Sequence, residues 1–240
     1  EALTLTCPSG ASITKMYDGA ELAPVATVSS TIPDDTSDDF TIEYSTNGGA
    51  TWSTTVPSIT HVGTQAVKVR ATNQNYVTDT CEYTLAVTKR TVTLTSATDS
   101  KEYDGTALTN DTVTVSGDGF VDGEGATYTV TGTQTDVGTS SNTFTYALNE
   151  GTEANDYTIQ LVEGTLTVTR NDDALTLTCP SGTDTTKMYN GTPLAPVATV
   201  SSTISGDEFT IEYSTDGGAN WSTTVPSITH VGTQAVKVRA

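Results

Sequence analysis

Apolar and polar residues alternate at a period of two in segment after segment of this chain. "ALTLTC" from Ala2, "FTIEYS" from Phe40, "AVKVRA" from Ala66 and "YTLAVT" from Tyr83 all show it, each bounded by Gly, Pro, Asn or Asp clusters. Successive side chains of a strand point to opposite faces, so the pattern predicts half-buried β-strands joined by tight turns. About six or seven short strands in roughly 85 residues is the arithmetic of a small β-sandwich, with a barrel or a single curled sheet as the competing architectures. Composition agrees. Thr supplies roughly a fifth of the 240 residues, while Leu, Met, Lys and Arg are scarce, which disfavours long helices.

The alternating segments recur. "KMYDG" at Lys15–Gly19 returns as "KEYDG" at Lys101–Gly105 and as "KMYNG" at Lys187–Gly191, at steps of 86 residues. Residues 1–32 match 173–204 at 25 of 32 positions, and 40–71 match 209–240 at 30 of 32, with three residues fewer between the two blocks in the later copy. The middle stretch is a diverged relative that keeps the pentapeptide and the ending "NDYTIQLVEGTLTVT". The order A-B-A predicts three tandem domains at 1–89, 90–170 and 171–240, all-β, each a small Ig-like β-sandwich, set in an elongated rod. The third copy stops where the first continues into "YTLAVT". It is therefore expected to lack its last strand, and the natural protein is expected to run on.

Within the pentapeptide, Asp18-Gly19, Asp104-Gly105 and Asn190-Gly191 are turn dipeptides: Gly supplies positive φ and the Asx side chain caps its own backbone. Tyr17, Tyr103 and Tyr189 are expected to pack their rings at the sandwich edge, with the hydroxyl reaching backbone or water. Cys7 lies in the opening strand of the first unit and Cys81 in its closing strand. A Cys7–Cys81 disulfide is expected, with two buried free thiols as the alternative, and Cys179 is left unpaired within the chain. On the loop-entropy account such a bond stabilises by about 4 kcal/mol. It also implies an oxidising compartment. The joints "TKRT" (88–91) and "TRNDD" (169–173) contain no Gly/Ser run that would behave as a random coil.

Charge excludes some functions. A formal charge of −19 with ten Lys and Arg argues against a nucleic-acid backbone or an anionic membrane as partner. No apolar run approaches a signal-peptide core or a membrane span.

Candidate chemistry is sparse. "STNGGATW" (45–52) and "STDGGANW" (214–221) fit the Asp-box hairpin of sialidase propellers, but one box per A-type unit cannot build a propeller. Trp52 and Trp221 are read as structural supports, or as a sugar-stacking platform in a binding protein. His61 and His230, with Asp136 at the matching place in the second unit, are turn residues with no nucleophile or metal cluster around them. The acidic loops at 33–39, 116–126 and 205–208 lack EF-hand spacing. Weak Ca²⁺ candidates are Asp118, Asp122 and Glu124, and no other cofactor is expected. The Thr runs lie on different strands instead of one flat ice-binding array, and the sequons at Asn110, Asn190 and Asn220 arise readily by chance in so Thr/Ser-rich a chain. No enzyme is expected.

"K-x-Y-D-G-x-x-L", then "D-V-G", then "N-D-Y-T-I-x-x-x-x-G-T-L-T-V-T" make residues 91–170 resemble the MBG/YDG repeats of bacterial surface adhesins, chiefly Gram-positive. The outer units resemble a sister type carrying "Y-S-x-[ND]-G-G-x-x-W". The resemblance implies an extracellular stalk repeat at the bacterial surface whose partners are its neighbouring repeats, and it supplies no catalytic residues. Two alternatives stand beside it: a module that binds carbohydrate or a host protein, and a filament subunit that self-associates by strand exchange at the incomplete third domain.

Overall fold

The computed structural model describes residues 3–172 and 174–240, without the side chain of Asp38. The expectations that fall on Glu1, Ala2, Asp173 and the Asp38 side chain therefore lie outside the described residues. Where described, the chain consists of strands, turns and short 3₁₀ segments. No helix is long and apolar enough to cross a membrane.

The first repeat contains β1 (Leu3–Thr6), β2 (Thr14–Met16), β3 (Thr27–Ser30), β4 (Thr41–Ser45), β5 (Gly63–Thr72) and β6 (Asp79–Thr88). β1 and β3 form an antiparallel pair. The other four make a sheet in the order β2–β6–β5–β4, in which β6 runs antiparallel to β5 and parallel to β2. The alternation read from the sequence is the alternation of burial: Tyr83, Leu85 and Val87 of β6 are buried while Glu82 and Thr84 face solvent. Leu3, Leu5 and Val28 of the small sheet share one core with Val67, Val69 and Leu85 of the large one, which makes a sandwich. A disulfide joins Cys7, just after β1, to Cys81 in β6 across 74 residues of chain.

β7 (Arg90–Ser96) follows β6 after a single residue. The middle repeat continues with β8 (Asp99–Glu102), β9 (Val113–Gly117), β10 (Ala126–Val130), β11 (Gly138–Asn142), β12 (Phe144–Leu148), β13 (Tyr157–Val162) and β14 (Gly164–Thr169). β7 lies between β13, parallel to it, and β9, antiparallel. β14 lies likewise between β8 and β11, and β10 pairs with β12. The third repeat has β15 (Leu175–Thr178), β16 (Thr199–Ser202), β17 (Glu212–Ser214) and β18 (Lys237–Arg239). β15 and β16 pair in the register of β1 and β3, and β17 and β18 in that of the end of β4 with β5. The fold is all-β, and the first repeat is a β-sandwich.

Contacts gather into two units. One comprises the chain up to Ala97 with Asp111–Val130 and Thr143–Glu163, and so holds the first repeat with β7, β9, β10, β12 and β13. The other comprises Thr98–Asn110, Thr131–Asn142 and Gly164–Ala240, and so holds β8, β11, β14 and the third repeat.

Candidate functional site: the tyrosine joints

Each pentapeptide folds locally as the sequence suggests. Asp18 Oδ1 accepts the Ala20 N–H at 2.9 Å and Asp104 Oδ1 accepts the Thr106 N–H at 2.9 Å; Asn190 Oδ1 accepts the Thr192 N–H at 3.1 Å. Gly19, Gly105 and Gly191 take φ of 75°, 78° and 78°, where a side chain is strained. The lysine that opens each pentapeptide reaches back across the turn, to Asp18 from Lys15 and to Asp104 from Lys101 at 2.7 Å. That ammonium and two Thr106 donors hold the exposed Asp104 carboxyl down at about 2.

Two of the tyrosines find a partner other than backbone or solvent. Tyr17 Oη donates to Glu124 Oε1 of the second repeat at 2.6 Å, and Tyr103 Oη donates to Asp207 Oδ1 of the third at 2.8 Å. The turn carries the ring past the end of its own sandwich, so its hydroxyl meets the acidic loop of the following repeat. Glycine helps in a second way: a Cβ on Gly19 would lie 3.0 Å from Val121, and one on Gly105 would lie 2.8 Å from Ile204. Only a residue without a side chain lets the next repeat come so close.

The first joint is the more elaborate. Tyr157 Oη donates to the other oxygen of Glu124 at 2.7 Å and accepts the Val121 N–H at 3.1 Å. Its ring meets Tyr17 edge-on at 5.7 Å, and Tyr17 stacks on His61 at 5.9 Å. His61 Nδ1 donates to Asp156 Oδ2 at 2.7 Å, and Asp156 Oδ1 accepts the Val62 N–H at 2.7 Å. Asp156 is fully buried, and a buried carboxylate persists only with such partners. Arg90 closes the far side, donating to the carbonyls of Tyr17 at 3.2 Å and Gly119 at 3.0 Å and to that of Asp118. Beneath these polar contacts Leu22, Ile59 and Val87 pack with Val92, Phe120 and Val121 in one apolar cluster that ignores the repeat boundary.

Burial and then Glu124 push the Tyr17 hydroxyl well above the ordinary phenol range; burial also pushes Tyr157 up to about 12. The hydrogen bond to Asp156 raises the His61 imidazole against the opposing effect of desolvation. His61, Glu153 and Asp156 bring ligand-type atoms within 4.8 Å of one another. Asp156 spends both oxygens on His61 and Val62, however, and so acts as a latch between repeats.

The second joint is simpler. Asn171 Nδ2 donates to the Tyr103 carbonyl at 3.0 Å, taking the part of Arg90, and Asp136 is exposed where the first repeat has His61. In the third repeat Tyr189 is 63 % exposed, against 3 % for Tyr17, and His230 is exposed.

The other candidates have structural partners. Asp118 accepts the Thr91 N–H at 2.9 Å and Glu124 binds two tyrosines, while Asp122 is exposed. In the Asp boxes, Ser45 Oγ accepts the Gly49 N–H at 2.8 Å and Asn47 Oδ1 the Thr51 N–H at 3.0 Å. Asp216 gathers the Ala219 and Asn220 N–H groups, and the Asn220 and Ser214 bonds hold its exposed carboxyl well below the usual range. Arg70 lies 4.5 Å over the Trp52 ring and Arg239 lies 4.4 Å over Trp221, so a guanidinium occupies one face of each indole. Cys179 is free and exposed.

Sequence reasoning gave no joint role to Glu124, Asp156, Asp207 or Arg90. The available signal was the co-occurrence of one K-x-Y-[DN]-G in each repeat with one acidic loop in the next.

No protein-family model and no curated protein matches this chain. Among solved structures it is similar to the fibronectin(III)-like modules of Clostridium thermocellum CbhA, at 14% identity over 70% of this chain and 94% of that one, with a TM-score of 0.24. It is also similar to the Protocadherin GammaB4 extracellular domain, at 12% identity over 91% of this chain and 43% of that one, with a TM-score of 0.31.

Proposed function

We propose that these repeats are structural spacers of an extracellular bacterial surface adhesin or fibre, of the MBG/YDG-like kind, with a mechanical role. The observation that supports this reading most is the repeated joint: at both junctions the pentapeptide tyrosine donates to a carboxylate of the following repeat. A residue pattern spent on holding successive repeats together suits a chain whose product is its own continuity. The Cys7–Cys81 bond fits an oxidising, extracellular setting. The acidic surface fits a fibre that repels its neighbours.

Stretching the chain by its ends tests the reading. A load-bearing spacer gives discrete unfolding events, and Tyr17→Phe combined with Tyr103→Phe lowers their force. The disulfide closes 74 residues, so the oxidised chain releases about 250 Å less length than the reduced one. Smooth extension without events counts against the spacer. So does saturable binding to a glycan array that disappears in Trp52→Ala, an outcome the guanidinium over that indole makes unexpected.

A further inference from the structure

The first and third repeats are nearly one sequence, yet they differ along one line. In the first, β6 lies between β2 and β5. The residues of the third repeat that align with β2 are not a strand, and the counterpart of the ten-residue β5 is reduced to the three residues of β18. Both segments line a groove of about 580 Å³, together with Cys179, Tyr189, Leu194 and Ile228. Val67, paired beside Tyr83 of β6, is 1 % exposed, and its equivalent Val236 is 40 % exposed. Cys179 is the counterpart of Cys7, whose sulfur is bonded to β6.

We infer that this groove is a strand acceptor. Its occupant is an extended polypeptide segment with the chemistry of β6, that is, Cys, Tyr, Leu and Val at alternate positions, inserted between the 186–188 segment and β18 and linked to Cys179. In the first repeat Cys7, Val67 and Val69, the counterparts of Cys179, Val236 and Val238, lie against such a segment. There Tyr83 and Leu85 fill the core, Thr14–Met16 pairs parallel with Ala86–Thr88, and β5 pairs antiparallel along the length of β6. An unpaired sheet edge above an apolar trough is what strand addition requires. The covalent step needs an oxidant, and glutathione disulfide supplies it. The Cys179 thiolate attacks that disulfide and expels one glutathione thiolate, then the incoming cysteine thiolate attacks the mixed disulfide and expels the second. Two protein thiols lose two electrons, and the two glutathiones carry them away. The inference goes beyond the spacer reading and does not depend on it.

The test uses the whole chain and a synthetic peptide of residues 79–88, DTCEYTLAVT. In a glutathione redox buffer, intact-mass measurement is expected to show the adduct on Cys179 forming about tenfold or more faster than with a scrambled peptide that keeps the cysteine, because seating the strand concentrates its thiol at the site. The peptide with Ser for Cys is expected to slow amide exchange at β18 without any covalent bond, in wild type and in Cys179→Ser alike. Equal rates for native and scrambled peptides, or an adduct without protection of β18, overturns the inference. So does a dimer of the chain alone that resists the peptide, since a second copy would then be the occupant.

Discussion

A glycine with positive φ ordinarily explains itself by its turn, but the three pentapeptide glycines permit a sharper separation. Gly19, Gly105 and Gly191 share the same backbone conformation and differ in what a Cβ would meet: Val121 at 3.0 Å, Ile204 at 2.8 Å, and nothing within 4 Å. Alanine at Gly191 should therefore cost only the left-handed backbone, about 1 kcal/mol, while alanine at Gly105 should cost that plus displacement of the following repeat, about 2–3 kcal/mol, with Gly19 between them. Denaturant unfolding of the three variants measures the order, and equal losses would mean that the glycines serve the turn alone. His61 gives a second test. Its folded pKa lies above the unfolded value of about 6.5, raised first by the Asp156 bond and further by the charges of Asp156, Glu153 and Glu124. Its stabilisation is complete below the unfolded value and is lost as pH rises through the higher folded one. The melting temperature of the first unit should thus fall as pH rises above about 6.5, before Tyr17 and Tyr157 titrate, and His61→Gln should flatten that fall.

At the scale of elements, β6 organises its sheet, because both β2 and β5 depend on it for hydrogen-bonding partners. The Cys7–Cys81 bond fixes β6 to the opening of the chain. Reduction should cost the first repeat about 4 kcal/mol, visible as a lower melting temperature. A thiol titration should count one reactive cysteine before reduction and three after it; three before reduction would sink the bond. β6 also marks the limit of what the sequence revealed. Its alternation was plain, as were the turn dipeptides and the Asp-box hairpins, since each is encoded within a few neighbouring residues. Yet "GTQAVKVRA" occurs at 63–71 and again at 232–240, and lies in a long strand in the first place but forms only a three-residue strand in the second. Identical local propensity gives different structure because a strand needs a partner, and the partner is nonlocal. The joint residues were hidden for a related reason. Glu124 and Asp207 lie in loops that a period-two pattern leaves blank, and an acidic loop looks the same in sequence whether it faces water or a tyrosine.

Across the whole molecule, stability should be graded along the chain instead of uniform. The first repeat combines a disulfide and a two-sheet core and is latched through His61 to the buried Asp156 of the second, while the third holds two-stranded sheets beside an open groove. Two-stranded sheets are marginal by themselves, and amides open at the free energy of the smallest cooperative unit that frees them. Hydrogen exchange should therefore proceed first at β15–β18, and last at β5, β6 and β7, whose Val69, Leu85, Val92 and Leu94 are fully buried. Heating should resolve an early transition in the third repeat from a later one in the first, so no single melting temperature would describe the chain. Glu124→Gln gives the discriminating case. If the joint couples its neighbours, weakening the carboxylate that both Tyr17 and Tyr157 donate to should speed exchange in β7 and β13 as well as in the 15–19 turn, while leaving β15–β18 at its wild-type rate. A loss confined to the loop at 118–124 would show that the repeats touch at the joint without sharing stability through it.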